Sequence, residues 1–187
     1  AIGYNIIYNT TGIINLAQGE FVMLGGMMAH SFSQVMALAP AIIISVAITS
    51  VVGGLIEVVF IRRMKKTSVL GMIVITIGIS ILIREAALHI WDEQVRALRF
   101  FTGNEVSSID ILGARISPQV LWIIGVTALV VAALYLFFRY TLTGQAMRAC
   151  ASNIRAAKLC GIRTSRMVNL SFMLAAGIGA LGGSLVS

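Results

Sequence analysis

Three polar side chains near the start of the chain, Asn15, Gln18 and Glu20, have the chemistry to bind a polar solute. They interrupt a sequence in which residues 1–19 and 21–56 contain no Asp, Glu, Lys or Arg. Inside a bilayer, polar groups and broken helices are tolerated where they are buried in protein or face a water-filled cavity, and a carboxylate there indicates a functional site. The pattern therefore predicts a transport pathway. The alternative is structural: Glu20 is a first-turn acid at the cytoplasmic face that opposes a helix dipole, and the two amides are turn and capping groups.

A second set of small polar residues lies further along the chain, at Thr76, Gly78 and Ser80. It falls within residues 67–83, which also lack charged side chains. The two hydroxyls could line a cavity, which makes Thr76 and Ser80 further candidate pathway residues. Small residues also occur where two membrane helices pack closely, so both interpretations stay open.

Two other patterns predict helix contacts. Gly179 and Gly183 form a G-x-x-x-G arrangement, whose expected use is close packing against another helix. Glu57 precedes Arg62 and Arg63 near the end of an apolar run. A pairing of Glu57 with either arginine would stabilise an exposed helix end by a few tenths of a kcal/mol.

The segment 144–162 is the most informative part of the sequence. Between its flanking glycines it is rich in Ala, Arg, Met and Leu, which favour helix. Gly161 suits a helix C-cap, because glycine enters the left-handed conformation without a side-chain penalty. One short helix outside the membrane is predicted, with small residues that let a partner approach closely. The alternative is an interfacial helix bound to anionic lipid.

The remaining reactive side chains do not form a catalytic pattern. His30 and His89 are isolated in the sequence. Cys150 and Cys160 lie in a stretch predicted to be cytoplasmic, where thiols stay reduced, and the sequence offers no nearby histidine for a zinc site. A glycine-rich P-loop with its lysine is absent, so ATP is not expected to bind this chain in that manner. We expect neither a hydrolase nor a bound metal or cofactor.

The composition indicates that the chain is embedded in a lipid membrane. The chain is 58% hydrophobic and 11% charged, with a mean hydropathy of +0.95, whereas a soluble domain carries about 25% charged residues. A membrane-crossing helix needs about 20 apolar residues. We predict an all-α, polytopic transmembrane helical bundle, with residues 1–187 as a single domain. Its six membrane segments are expected at about 1–16, 19–34, 38–60, 67–90, 118–138 and 167–187.

The charged residues cluster between these segments. Four cations fill 62–66 and six fill 139–166, without an acid in either, whereas 84–117 mixes both signs. The positive-inside rule places the two basic loops in the cytoplasm and the loop 92–117 outside. Alternating residues at 109–116 predict a small hairpin there. The net charge of +7 is therefore explained by topology, and nucleic-acid binding is not expected.

Four motifs carry a resemblance to a known family. The pattern G-x-A-x-R-A-x-x-x-N-x-x-x-A-x-x-x-G-I in 144–162 resembles the cytoplasmic coupling loop of the branched-chain amino acid permeases of ABC importers. Residues 11–25 resemble the family signature I-N-[FL]-A-[HQ]-G-[DE]-x-x-M-[IL]-G, and 56–63 and 75–84 resemble two of its helices. The Glu-Ala-Ala triplet of other importers is absent. The matching positions of the first motif are Gly144, Ala146, Arg148, Ala149, Asn153, Ala157, Gly161 and Ile162.

The resemblance implies a permease subunit of the bacterial inner membrane that carries branched-chain or related amino acids. It implies as partners a second permease subunit, two cytoplasmic ATPase subunits that hold ATP and Mg, and a periplasmic substrate-binding protein. Residues 139–166 are then the coupling segment, which inserts into the ATPase. Within it, Arg148 and Arg155 leave a basic side, and reversing both charges is expected to uncouple transport from ATP hydrolysis without preventing membrane insertion.

Two other functions remain open from the sequence. Related branches of the family would carry urea, short amides or simple sugars. A channel or an ion-coupled carrier, in which the coupling segment only binds lipid, is the alternative from another class. The chain opens directly in an apolar stretch and its last segment stops without a basic flank, so we expect both ends to be incomplete.

Overall fold

The computed structural model describes residues 2–12, 14–64, 69–92, 109–111, 114–116 and 118–186. Eight α-helices account for most of them. In chain order they are α1 (Ile2–Thr11), α2 (Gln18–Ser33), α3 (Leu38–Ile56), α4 (Val69–Trp91), α5 (Pro118–Tyr140), α6 (Leu142–Ser152), α7 (Ile154–Leu159) and α8 (Thr164–Val186). The all-α, multi-pass fold expected from the apolar runs is confirmed.

Among the described residues, four helical stretches are long and apolar enough to cross a membrane. They are Leu38–Ile61, Leu70–Trp91, Pro118–Tyr140 and Thr164–Val186, and they match the last four of the six predicted segments. The first two predicted segments form α1 and α2, of 10 and 16 residues. At 1.5 Å per residue these helices measure about 15 and 24 Å, less than the roughly 30 Å of hydrocarbon. Four of the six predicted segments are therefore matched by helices of spanning length among the described residues, and the other two are matched by shorter helices.

Helix α8 lies at the centre of the bundle. It packs against α1, α2 and α3, while α4 contacts α2, and α5 contacts α6 and the end of α8. Phe21 of α2 and Phe172 of α8 are both fully buried in the shared core. In contrast, none of the described residues of α5 is buried. An apolar helix with such a surface must be covered by lipid or by another protein chain.

Helix α3 continues into a π-helical turn, Glu57–Ile61, and a 3₁₀ turn, Arg62–Met64. The amide of Asn169 on α8 donates to the Gly54 carbonyl over 2.8 Å and to Glu57 Oε2 over 2.9 Å. A side chain that enters the backbone hydrogen-bond ladder is a common cause of such local distortion. The predicted pairing of Glu57 is confirmed, with Arg62 Nη2 at 3.4 Å, but Glu57 is only 2% exposed and also joins α3 to α8.

The predicted hairpin is confirmed as two short antiparallel strands, β1 (Ile109–Ile111) and β2 (Ala114–Ile116). Ile109 pairs with Ile116 and Asp110 pairs with Arg115. The rest of the predicted outer loop, and the two lysines of the first basic loop, lie outside the described residues.

Candidate translocation pathway and coupling segment

The chain breaks between α1 and α2, inside the bundle. Thr10 and Thr11 turn their hydroxyls back to the carbonyls of Ile6 and Ile7, at 2.5 and 2.6 Å, a bond that competes with helix continuation. Gly12 then adopts a φ of 68°, which glycine reaches without a Cβ penalty. Residues 12 and 14–17, here called the α1–α2 turn, follow without regular helix.

The two amides of this region each form one hydrogen bond and leave one buried atom open. Asn15 is 3% exposed, and its Oδ1 accepts from the Ala17 N–H over 3.1 Å, as an asparagine in a turn does. Gln18 Nε2 donates to the Ala175 carbonyl of α8 over 2.9 Å. Asn15 Nδ2 and Gln18 Oε1 are buried without a partner among the described residues. The prediction that Asn15 is a turn residue therefore holds for its Oδ1 atom and leaves its Nδ2 atom unexplained.

Glu20 lies in the first turn of α2 and binds across to α4. Its Oε1 accepts from Ser80 Oγ over 2.7 Å and from Arg84 Nη2 over 2.9 Å. Ser80 is the central residue of α4, so Glu20 lies near the middle of a membrane-spanning helix. Glu20 has its predicted place in the first turn of α2, where it opposes the helix dipole, and its carboxylate also bonds to the central turn of α4.

The candidate residues of α4 meet the α1–α2 turn on one side. Thr76 is fully buried, with its Oγ1 donating to Ile73 O over 2.9 Å and lying 3.5 Å from the Ile14 carbonyl. Ser80 follows one helical turn later at Glu20. Gln18 lies apart from them, against α8. Thr76 and Ser80 thus lie on the face of α4 that packs against the α1–α2 turn and the start of α2, where Ser80 binds Glu20.

Sequence reasoning missed Arg84 as part of this contact, because it assigned that residue to the mixed-charge outer loop. Arg84 lies four residues after Ser80, so both side chains share one helix face. That spacing, in a helix whose residues 69–83 carry no charge, is the signal that could have identified it. The Arg84 side chain is 64% exposed, whereas that of Glu20 is 7% exposed. The ion pair therefore presents its positive partner to the surface of the chain.

The coupling segment forms two helices, which corrects the prediction of one. Asn153 ends α6 in extended backbone, and its Oδ1 accepts from the N–H groups of Arg155 and Ala156 at 3.0 and 3.1 Å. This is an N-cap for α7. Gly161 ends α7 with a φ of 81°, and the next N–H, of Ile162, donates to Ala157 O over 3.1 Å. The predicted glycine C-cap is confirmed.

Helix α6 packs tightly on the end of α5 through Gly144. A Cβ at that position would meet the Phe137 carbonyl oxygen and lie 2.7 Å from Phe138 Cα. Thr141 caps α6 by accepting from the Gly144 N–H over 3.0 Å. Cys150 faces inward on the same helix, and burial raises the pKa of its thiol.

The other motif positions differ in exposure. Ala157 is buried and Ala146 is partly buried, so neither offers an open surface to a partner. The exposed positions are Arg148, Ala149, Asn153, Arg155 and Gly161. In the described residues, no cluster of His, Cys, Asp and Glu could hold a metal ion.

Comparison with known proteins identifies the family of this chain. The family model described as branched-chain amino acid transport system / permease component matches residues 1–187. The chain belongs to this family. As a member of this permease family it is a multi-pass membrane protein, with the four spans described above.

Curated relatives match over the whole chain. It is 33% identical over 200 residues to the high-affinity branched-chain amino acid transport system permease protein LivH of Salmonella typhimurium. It is 33% identical over 202 residues to LivH of Escherichia coli and 31% identical over 200 residues to BraD of Pseudomonas aeruginosa. The permease chain spans 64% of the length of each of these relatives. No solved structure gives a significant match.

Proposed function

We propose that this chain is the membrane-spanning permease subunit of an ABC importer for branched-chain or related amino acids in a bacterial inner membrane. The observation that carries the proposal is the family match across residues 1–187. The relatives LivH and BraD are named as permease proteins of high-affinity branched-chain amino acid transport systems. The substrate class of this chain is inferred from those names.

The contact between α2 and α4 supports a pathway at the surface of the chain. Glu20 is held near mid-depth, and the Arg84 side chain that binds it is 64% exposed. A charged group within a span faces protein or a water-filled cavity, because contact with lipid hydrocarbon costs several kcal/mol. We infer that this face lines the pathway and meets a second permease subunit there. Asn15, Thr76 and Ser80 lie on the protein side of the same contact.

The α6–α7 pair supports coupling to separate ATPase subunits, which would bind ATP and Mg. Neither helix belongs to the four spans, and Arg148 and Arg155 are exposed on them. Because Gly144 packs directly on α5 and α8 begins soon after α7, motion of this pair reaches two spans. In this proposal, ATP binding moves the pair, the spans switch access around a midplane site, and a periplasmic binding protein delivers the solute.

The test is the ATPase activity of the full complex in lipid, with its binding protein present, across a panel of solutes. Stimulation by leucine, isoleucine or valine supports both the importer and its substrate class. Stimulation by urea, a short amide or a sugar retains the importer and replaces the substrate. Purification without any ATPase subunit would overturn the importer and favour a channel or an ion-coupled carrier.

A further inference from the structure

A cavity of about 890 Å³ opens between the end of α3, the start of α4, helix α7 and the start of α8. It is distinct from the contact of Glu20 with α4, and the proposed transport cycle assigns no ligand to it. Five cationic side chains line it: Arg62, Arg155, Lys158, Arg163 and Arg166. Among the described residues of the lining, the one carboxylate is that of Glu57, which already accepts hydrogen bonds from Arg62 and Asn169. The cavity therefore carries a strong positive excess.

The polar wall has hydrogen-bond donors that the described residues leave open. Arg62 Nε is buried without a partner, although Arg62 Nη2 reaches Glu57 at 3.4 Å. Thr164 and Ser165, the first residues of α8, also line the cavity, where the positive end of a 23-residue helix attracts an anion. A tetrahedral oxyanion provides several acceptors for such a set of donors.

The opposite wall is apolar and belongs to the membrane spans. Ile61, Met72 and Val168 line it, and each lies within a few residues of the end of a predicted span. The cavity is thus at the depth where headgroups meet acyl chains. An acidic peptide would satisfy the cations but not this wall, whereas a phospholipid satisfies both.

We propose that this cavity binds the phosphate of an anionic membrane phospholipid, with the start of an acyl chain along Ile61, Met72 and Val168. Basic pockets between spans on the cytoplasmic side are suited to such headgroups. The phosphate accepts from Arg62 and from the cations of α7 and α8. Bound there, the lipid connects the coupling segment to the ends of α3 and α4.

The test is native mass spectrometry of the purified full chain, titrated with phosphatidylglycerol, phosphatidylcholine or inorganic phosphate. Phosphatidylglycerol is expected to remain bound in preference to phosphatidylcholine. The pair Arg163→Gln and Arg166→Gln should weaken its binding about twenty-five-fold, since each basic residue near a lipid surface contributes about 1 kcal/mol, or about five-fold. Lys158→Gln repeats the test with a single charge and an expected loss of about five-fold.

The matched control is the pair Arg139→Gln and Arg148→Gln, because these cations line a different cavity, between α1, α5 and α6. Binding should change little in that pair, and thermal melting of the helical signal checks that every variant folds. If both pairs of substitutions weakened lipid binding equally, the binding would come from general attraction to a basic surface. That result would overturn the proposed site. If millimolar inorganic phosphate displaced the bound phosphatidylglycerol, the cavity would be a site for soluble phosphate, and the lipid proposal would be wrong. If the Arg163→Gln and Arg166→Gln pair still bound lipid but no longer associated with the ATPase, the cations of the cavity would be assigned to binding an acidic protein surface. That result would also overturn the proposal.

Discussion

Individual polar residues of the α1–α2 region combine structural bonds with open groups. Asn15 and Gln18 each bind one backbone group, and each has a second buried atom without a partner in the part of the chain that the structure describes. A buried polar atom without a partner costs about 1–3 kcal/mol, which is seldom retained without a reason. Beside them, Glu20 Oε1 accepts from both Ser80 and Arg84. These residues therefore mark a site where folding alone does not satisfy the polar groups.

Substitution Glu20→Gln should lower both stability and transport. The amide can still accept from Ser80, but it loses the charge that attracts Arg84. A charge-assisted hydrogen bond contributes about 2 kcal/mol, so we expect a lower melting temperature and an uptake rate reduced about ten-fold or more in vesicles that contain the full complex.

The matched control is Glu85→Gln, since Glu85 is an exposed acid adjacent to Arg84. It should leave both the melting temperature and uptake near the parent values. Equal losses from the two variants would mean that overall charge, and not the contact with α4, determines the effect.

At the scale of elements, the contact of α2 with α8 depends on glycine. A Cβ at Gly183 would overlap the Val22 carbonyl and lie 3.1 Å from Gly26 N, and a Cβ at Gly179 would lie 3.2 Å from Phe21 Cβ. Close packing by the G-x-x-x-G pair is thus confirmed, and its partner is α2 of the same chain. This contact sets the depth at which α2 begins, and with it the position of Glu20.

Gly183→Ala is expected to separate α2 from α8 and destabilise the fold by about 1–3 kcal/mol, as overpacking of a filled core does. Gly182→Ala is the control, because a Cβ at that position meets no atom within 4 Å. Unfolding in a denaturing detergent series compares the two. If the two variants had similar unfolding midpoints, the separation of α2 from α8 would not destabilise the fold.

The α6–α7 break is a second element whose function depends on one residue. Asn153→Ala removes the cap of α7 and should weaken that helix by about 1 kcal/mol. We expect a lower ratio of solute transported to ATP hydrolysed in the reconstituted complex. Asn153→Asp retains a side-chain acceptor for the cap, so it should keep the ratio of solute transported to ATP hydrolysed near the parent value. If both variants lowered this ratio, the Asn153 amide would instead act by direct contact with a partner subunit.

The whole molecule has two distinct ends. At one end, Arg62, Arg155 and Arg163 surround a common cavity, so the described parts of the two basic loops lie together. At the other end, Trp91 donates to Ser31 over 2.6 Å and Gln119 donates to the Leu185 carbonyl over 2.9 Å. By the positive-inside rule we expect the first end to face the cytoplasm.

A membrane-impermeant maleimide tests this orientation. Cys160 is exposed and Cys150 is buried, and burial raises the pKa of the Cys150 thiol. A raised pKa leaves less thiolate at neutral pH, so Cys150 should react slowly and faster as the pH rises. Labelling of Cys160 is expected in inside-out vesicles and absent in right-side-out vesicles. The reverse pattern would invert the topology, and Cys160→Ser isolates the signal of Cys150.

The sequence alone determined the long apolar helices of the bundle. Long apolar runs predicted α3, α4, α5 and α8, because crossing hydrocarbon demands about 20 apolar residues in a row. Turn residues and alternation predicted the hairpin at 109–116. Each of these signals is contained within one segment of chain, so it can be read without knowledge of the neighbours.

Only the tertiary structure decided the depth of Glu20 and its partners. Ser80 and Arg84 lie far from Glu20 in sequence, and no local period links them. The start of α2 depends in turn on its fit to the glycines of α8. Likewise, the segment 144–162 has a helical composition throughout, and the break at Asn153 appears where its side chain caps α7 in place of continuing α6. Such choices depend on contacts between elements, because a short helix has no length signal to fix its position in the membrane.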